Sequence, residues 1–296
     1  MGRKYILVLS VLTVLFLGWV IATPADTDII SPVRVTDQIF MIGDKGGNIG
    51  VFIGTEGTFL IDDSFAPLTK KIVTAIKSVG GDYPEFLINT HFHGDHTGGN
   101  ENLGNGGTLI FAHDNVRQRL KNGSYIKAFD KKMEPTASAG LPVVTFSEGI
   151  SFHINGDTVR VIHVSQAHTD GDSFIVFEKA NVIHTGDIMF NGFYPFIDVD
   201  HGGSLLGTIQ GVDKILSFTD DETVIIPGHG PLGDKVQLQQ YREMLWTAYG
   251  RLKKLKEGGK TALDAANMEP LADLESAWGD GMFSGDEWIE LIYPEI

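Results

Sequence analysis

Cysteine is absent from the chain. That excludes disulfides, a thiolate nucleophile and Cys-ligated zinc, so any soft-metal site must be built from imidazoles and carboxylates. Basic residues are few beside acidic ones: 23 Lys and Arg against 38 Asp and Glu, a formal net charge of −15. Such a chain repels phosphate backbones, which argues against nucleic acid as a main partner. No serine sits in a Gly-x-Ser-x-Gly elbow. Tandem repeats and composition shifts are also missing, so the body reads as a single domain. With 42% hydrophobic and 21% charged residues, the chain has globular composition, not the composition of a disordered or fibrous protein.

One long hydrophobic run is present, Tyr5–Ile21, preceded by Arg3 and Lys4 and followed by Ala22 and the helix-breaking Thr23-Pro24. A basic start, an apolar run and a small-residue end form a secretory signal peptide over residues 1–22. If it is retained, the run is long enough for a membrane anchor. Either way, residues 23–296 are expected outside the membrane, periplasmic or extracellular.

Short apolar runs read as strands at Ile39–Ile42, Gly50–Ile53, Thr58–Ile61, Phe86–Ile88 and Thr108–Ala112. Others follow at Val143–Phe146, Ser151–Ile154, Thr158–Val164, Ser173–Phe177, Val182–His184 and Thr223–Ile226. Helices are expected at Leu68–Val79, at Asn115–Leu120 capped by Asp114, at Ser204–Leu216 and at Leu238–Lys256. Residues 121–142 read as irregular, and the tail Thr261–Ile296 as helical in pieces. This pattern gives a mixed α/β protein with layered sheets and helices outside.

Histidine carries the chemistry. Ten are present, and three fall within Thr90-His91-Phe92-His93-Gly94-Asp95-His96-Thr97-Gly98, directly after the strand Phe86–Ile88. An extended backbone sends His91 and His93 to one side. Asp95 and His96 lie on the turn after Gly94, before a helix expected near Gly98. The cluster is an H-x-H-x-D-H motif, and with it the chain resembles the metallo-β-lactamase superfamily. Gln166-Ala167-His168-Thr169-Asp170-Gly171-Asp172, Thr185-Gly186-Asp187 and Pro227-Gly228-His229-Gly230 match further family segments in family order, over about Val33–Asp234.

The resemblance implies a four-layer αββα sandwich and a site with two zinc ions, or with Mn or Fe. His91, His93 and His168 would hold the first ion, Asp95, His96 and His229 the second, and Asp187 would bridge them. Asp62, at the end of Thr58–Ile61, would support a ligand histidine, with Asp63 a weaker candidate. Thr90 and Thr169 are candidates for hydrogen bonds to ligand-loop backbone. The activity implied is hydrolysis, with Asp95 orienting the attacking water. His113, His153, His163 and His184 read as structural. His201 also reads as structural, with the site mouth as its alternative place.

The aromatic stretch Phe193-Tyr194-Pro195-Phe196 offers Phe193 and Phe196 as walls of a neutral substrate pocket. The expected substrate is a small, uncharged or singly charged ester, lactone or β-lactam. A thioester hydrolase of the hydroxyacylglutathione type is an alternative, with Arg251, Lys253, Lys254 and Lys256 as possible basic contacts. A mononuclear iron sulfur dioxygenase is another. A non-catalytic scaffold is disfavoured, because all seven ligand positions are filled.

Overall fold

The computed structural model describes residues 30–43 and 46–296. The signal peptide or anchor expected over residues 1–22 lies outside these residues. Among the described residues no helix is long and apolar enough to cross a membrane.

Two sheets stack face to face. The first has seven strands, in the order Val33–Arg34, Ile39–Ile42, Ile49–Gly54, Gly57–Ile61, Phe86–Ile88, Leu109–His113 and Val144–Phe146. The second has five, in the order Gly149–Ile154, Asp157–His163, Ser173–Phe177, Val182–His184 and Val224–Ile226. Strand period 2 sorts their side chains into three apolar layers. Phe59, Ile61 and Ile88 face the second sheet and pack with its Val161, Ile175 and Phe177. Leu60 and Leu87 face outward instead, against Ile72 and Ile76 of the helix Thr69–Ser78. On the far side, Phe174 and Ile183 meet Ile209 and Val212 of the helix Leu205–Leu216 and Leu245 of the helix Lys235–Glu257. The order helix, sheet, sheet, helix is the αββα sandwich. Edge-on ring pairs fill its centre, with centroids 5.2 Å apart for Phe52–Phe177 and 5.0 Å for Phe59–Phe152.

Each sheet begins as an antiparallel meander and ends in parallel pairs. Ile61 pairs with Ile88 in the first sheet, and His184 with Ile226 in the second. Parallel strands that finish in register release their loops at the same end. Asp62, the His91–His96 segment, Asp187 and His229 therefore all emerge at the strands' carboxyl ends. Asn48 stitches the two sheets together there: its amide donates to Pro227 O at 2.9 Å and Gly230 O at 2.8 Å, and its own carbonyl accepts from His184 Nε2 at 3.2 Å.

Three local readings need correction. The helix after Leu109–His113 spans Asp114–Asn122 and is capped by His113, whose Nδ1 accepts from Asn115 N, so Asp114 is its first residue and not its cap. Asp95 and His96 sit on a one-turn helix, Gly94–Thr97, ahead of the helix expected near Gly98. Residues 121–142 contain a two-stranded hairpin, Ser124–Ile126 with Lys131–Met133. Its strands are three residues long and mostly exposed, so they carry no alternation.

The tail is helical in pieces and packs under the loop after Asp187. Trp288 Nε1 donates to Pro195 O at 2.7 Å, and its ring stacks on Tyr194 at 4.7 Å. Arg251 pairs with Asp273, and Lys256 donates to Tyr293 O and Pro294 O. These two basic side chains hold the tail in place.

Candidate metal centre

Seven side chains converge where the two sets of parallel strands end. His91, His93, His168 and Asp187 form one group of possible metal ligands, and Asp95, His96 and His229 a second. In the first group His93 Nδ1 lies 3.1 Å from His91 Nε2 and 2.9 Å from His168 Nε2. Nitrogens held about 2.0–2.1 Å from a tetrahedral zinc ion lie roughly 3.3 Å apart, so these three fit around one ion. In the second group His229 Nε2 lies 3.4 Å from His96 Nε2 and 3.3 Å from Asp95 Oδ2. Asp187 faces both groups. Its Oδ2 is 3.5 Å from His168 Nε2 and 3.4 Å from His229 Nε2, and its Oδ1 is 3.1 Å from His96 Nε2. Asp187 Oδ1 is buried without a hydrogen-bond partner, which leaves it free for a cation. A β-carbon on Gly228 would collide with that oxygen, so glycine is required for the close approach.

The far nitrogen of each ring decides whether the near one offers a lone pair. His96 Nδ1 donates to Asp62 Oδ2 at 2.8 Å. Thr90 Oγ1 also donates to Asp62 Oδ2, at 2.7 Å, and so receives the His91 Nδ1 proton at 3.0 Å. His168 Nδ1 donates to Phe196 O at 2.7 Å, and His93 Nε2 to Asp198 Oδ2 at 2.8 Å. Four rings are thereby fixed in the tautomer that aims a bare nitrogen at the centre. Burial holds His91 well below the usual imidazole range and lowers His168 to about 4, which keeps both neutral. At the other pair burial is outweighed by the facing carboxylates, Asp187 first, which raise His96 and push His229 up to about 9, so that those two give up a proton on ligation. Burial opposes ionisation of Asp187, but His96, His229 and His91 facing it hold it well below the usual carboxylate range. Asp95 is likewise held low by His96 and His229 against the effect of burial.

Asp62 also accepts Thr90 N at 2.7 Å, and it adopts the left-handed conformation, φ 60°. That strained backbone turns its carboxylate back under the ligand loop. Asp63 accepts from Gly99 N at 2.9 Å, at the N-cap of the helix Asn100–Asn105. Thr169 accepts a ligand-loop backbone bond from Gly171 N, whereas Thr90 works through side chains.

Asp198 had no signal of its own in the sequence, and His201 only its place after the aromatic stretch. Asp198 Oδ2 receives His93 Nε2 and also His201 Nδ1, at 2.7 Å. His201 is therefore neither at the mouth nor merely structural; it stands behind His93. Asp198→Asn is expected to lower metal affinity about 10–100-fold, the usual cost of losing a carboxylate behind a ligand histidine. Competition with a chromogenic chelator measures this; unchanged affinity would remove Asp198 from the centre.

A cavity of about 70 Å³ opens over the centre. Its floor is His93, Asp95, Asp187 and His229, and its walls include Phe190, Phe196, Ile126, Phe129, Met133 and Met282. Phe196 lines the cavity, as the aromatic stretch suggested. Phe193 does not: its ring packs edge-on against Phe190, 5.6 Å away, behind the wall. The cavity is not neutral either, because Lys131 of the hairpin enters it.

A sequence profile described as the metallo-beta-lactamase superfamily matches residues 42–229. The chain belongs to this superfamily. It is 27% identical over 209 residues to a probable metallo-hydrolase of Methanocaldococcus jannaschii, covering 68% of this chain and 90% of that protein. It is 25% identical over 189 residues to a beta-lactamase-like protein 2 homolog of Caenorhabditis elegans, covering 62% of this chain but only 56% of the nematode protein. It is 28% identical over 147 residues to a hydroxyacylglutathione hydrolase of Haemophilus influenzae, covering 49% and 68%. Among solved structures, a Cronobacter sakazakii metallo-beta-lactamase superposes with a TM-score of 0.63 at 17% identity, covering 78% of this chain and 96% of that one.

Proposed function

We propose that this protein is a zinc-dependent hydrolase holding two ions per chain and acting on the carbonyl of a small ester, lactone or β-lactam. The observation that carries this reading is the tautomer control: four imidazoles are each fixed by an acceptor so that their free nitrogens converge, with Asp187 facing both groups. Histidine nitrogens and carboxylates with no sulfur suit zinc, and zinc in such a site supplies a Lewis acid and lowers the pKa of water to about 7. The chain's own residues do the rest. Asp95 is partly exposed at the cavity floor and, held as a carboxylate, accepts a hydrogen bond from the attacking water at Oδ2. Phe196 and Phe190 exclude bulk water from one side and hold an apolar acyl group.

The similarity to a hydroxyacylglutathione hydrolase supports thioester hydrolysis as a second reading. Against it, two of the four basic residues that would serve glutathione, Arg251 and Lys256, are engaged with the tail. The deciding experiment is metal analysis followed by a panel of β-lactams, lactones, thioesters and phosphodiesters. Two zinc ions per chain are expected, with carbonyl turnover that a chelator abolishes and Zn²⁺ restores. One iron per chain, or chelator-resistant turnover, would overturn the proposal.

A further inference from the structure

The hairpin Ser124–Met133 overhangs the centre and brings one cation to it. Lys131 lines the cavity, and its Nζ lies 3.8 Å from the point a β-carbon on Gly94 would occupy, between the ligands His93 and Asp95. The face of Phe65, 5.4 Å away, supports the ammonium from the side. The nearby carboxylates of the hairpin are engaged elsewhere: Asp130 accepts from Tyr125 Oη, and Glu134 pairs with Lys132 at 2.8 Å. Among the described residues Lys131 has no ion-pair partner, and it is the only Lys or Arg among the side chains lining the cavity. An unpaired cation at the rim of an apolar cavity, in a chain of net charge −15, is a local reversal of the protein's own field.

We infer that Lys131 is a specificity-determining residue that binds a carboxylate of the substrate, so that the preferred substrates are monoanions carrying an apolar group beside the scissile carbonyl. This rests on the carbonyl-hydrolase reading above and narrows it. The layout has three parts at fixed places: the ligand floor for the reacting carbonyl, Phe129, Phe196 and Met282 for the apolar group, and the ammonium for the anion. Phe129 and Met282 are substantially exposed, 46% and 44%, and a bound apolar group would cover them. A charge-assisted hydrogen bond from Nζ fixes the orientation that area burial alone leaves loose. A dianion or polyphosphate gains one partner and leaves its remaining charge facing Asp95 and an acidic surface.

The test uses the zinc-loaded full chain and two probes, 2-benzyl-3-mercaptopropanoate and its methyl ester, with binding read by calorimetry. Turnover is not needed, so an inactive preparation that still binds separates failure of the hydrolase reading from failure of this one. The wild type should bind the acid about tenfold more tightly than the ester. Lys131→Ala should bring the two affinities together by weakening only the acid, Lys131→Arg should keep the preference, and Lys131→Glu should reverse it. Because Lys131 is exposed, these variants leave the core untouched, and unchanged zinc content checks this. Equal affinities in the wild type, or an acid preference that survives in Lys131→Ala, would overturn the inference.

Discussion

Replacing Asp187 with alanine should leave the protein folded but empty it of metal. The side chain is buried and faces His168, His229 and His96 at 3.1–3.5 Å, so it is the one candidate ligand that faces both groups. Without it each group loses an anionic oxygen, and the two sets of imidazoles lose the negative charge that reduces repulsion between two cations. Loss of a supporting carboxylate already costs about 10–100-fold in affinity, so loss of a shared ligand should exceed 100-fold at each site. Zinc per chain after dialysis is the measurement, with turnover expected to fall below detection. Asp187→Asn should behave almost as badly, since its shape is kept and its charge is not. Full zinc content in either variant would contradict the shared role.

Asp62 yields the second large effect, and its two obvious substitutions separate stability from metal binding. Asp62→Ala leaves three buried donors without an acceptor: Thr90 N, Thr90 Oγ1 and His96 Nδ1. At about 1–3 kcal/mol for each orphaned group, and with alanine less tolerant of φ 60°, a loss of about 3–5 kcal/mol is expected by urea denaturation. Asp62→Asn acts differently. Its oxygen still accepts Thr90 N, but its amide now donates toward His96 Nδ1. That moves the His96 proton to Nε2 and aims it into the centre, where a lone pair is required. The asparagine variant should therefore be the more stable of the two, yet still lose zinc from the second group. Native zinc content in Asp62→Asn would show that the His96 tautomer is set by something else.

Much of this site was legible because its ligands announce themselves locally. Three histidines and an aspartate within six residues cannot be mistaken for core, and Asp62 follows a strand whose apolar run ends one residue earlier. The sandwich, too, showed in its strands, because Ile39–Ile42 and Ser173–Phe177 are buried on both faces and read as continuous apolar runs. Asp198 and His201 were not legible. They join His93 across 105 residues of chain, and Asp-Val-Asp-His resembles any polar turn until the fold closes. The hairpin over the cavity escaped for another reason: its backbone pairing is fixed by the turn around Asp130, in the left-handed region at φ 47°, and not by an apolar face. Phe193 shows the opposite error. An aromatic residue next to a site in sequence reads as a pocket wall, but its partners are Phe190 and the tail at Gly281.

The walls over the cavity come from two segments distant in sequence. Phe129 of the hairpin and Phe283 of the tail lie with ring centroids 6.0 Å apart, and both meet Phe196 between them. Phe283 and Met282 fall beyond residue 229, where the family match ends. One part of the wall, Met282, is therefore supplied by a stretch of chain separate from the one that carries the candidate ligands, Lys131 and the other wall residues. Sequence drift in the tail can reshape the doorway while every imidazole stays in place, so relatives with the same ligands can differ in the molecules they admit. Grafting residues 261–296 between such relatives would exchange the Met282 side of the doorway alone and leave Lys131 and the candidate ligands native.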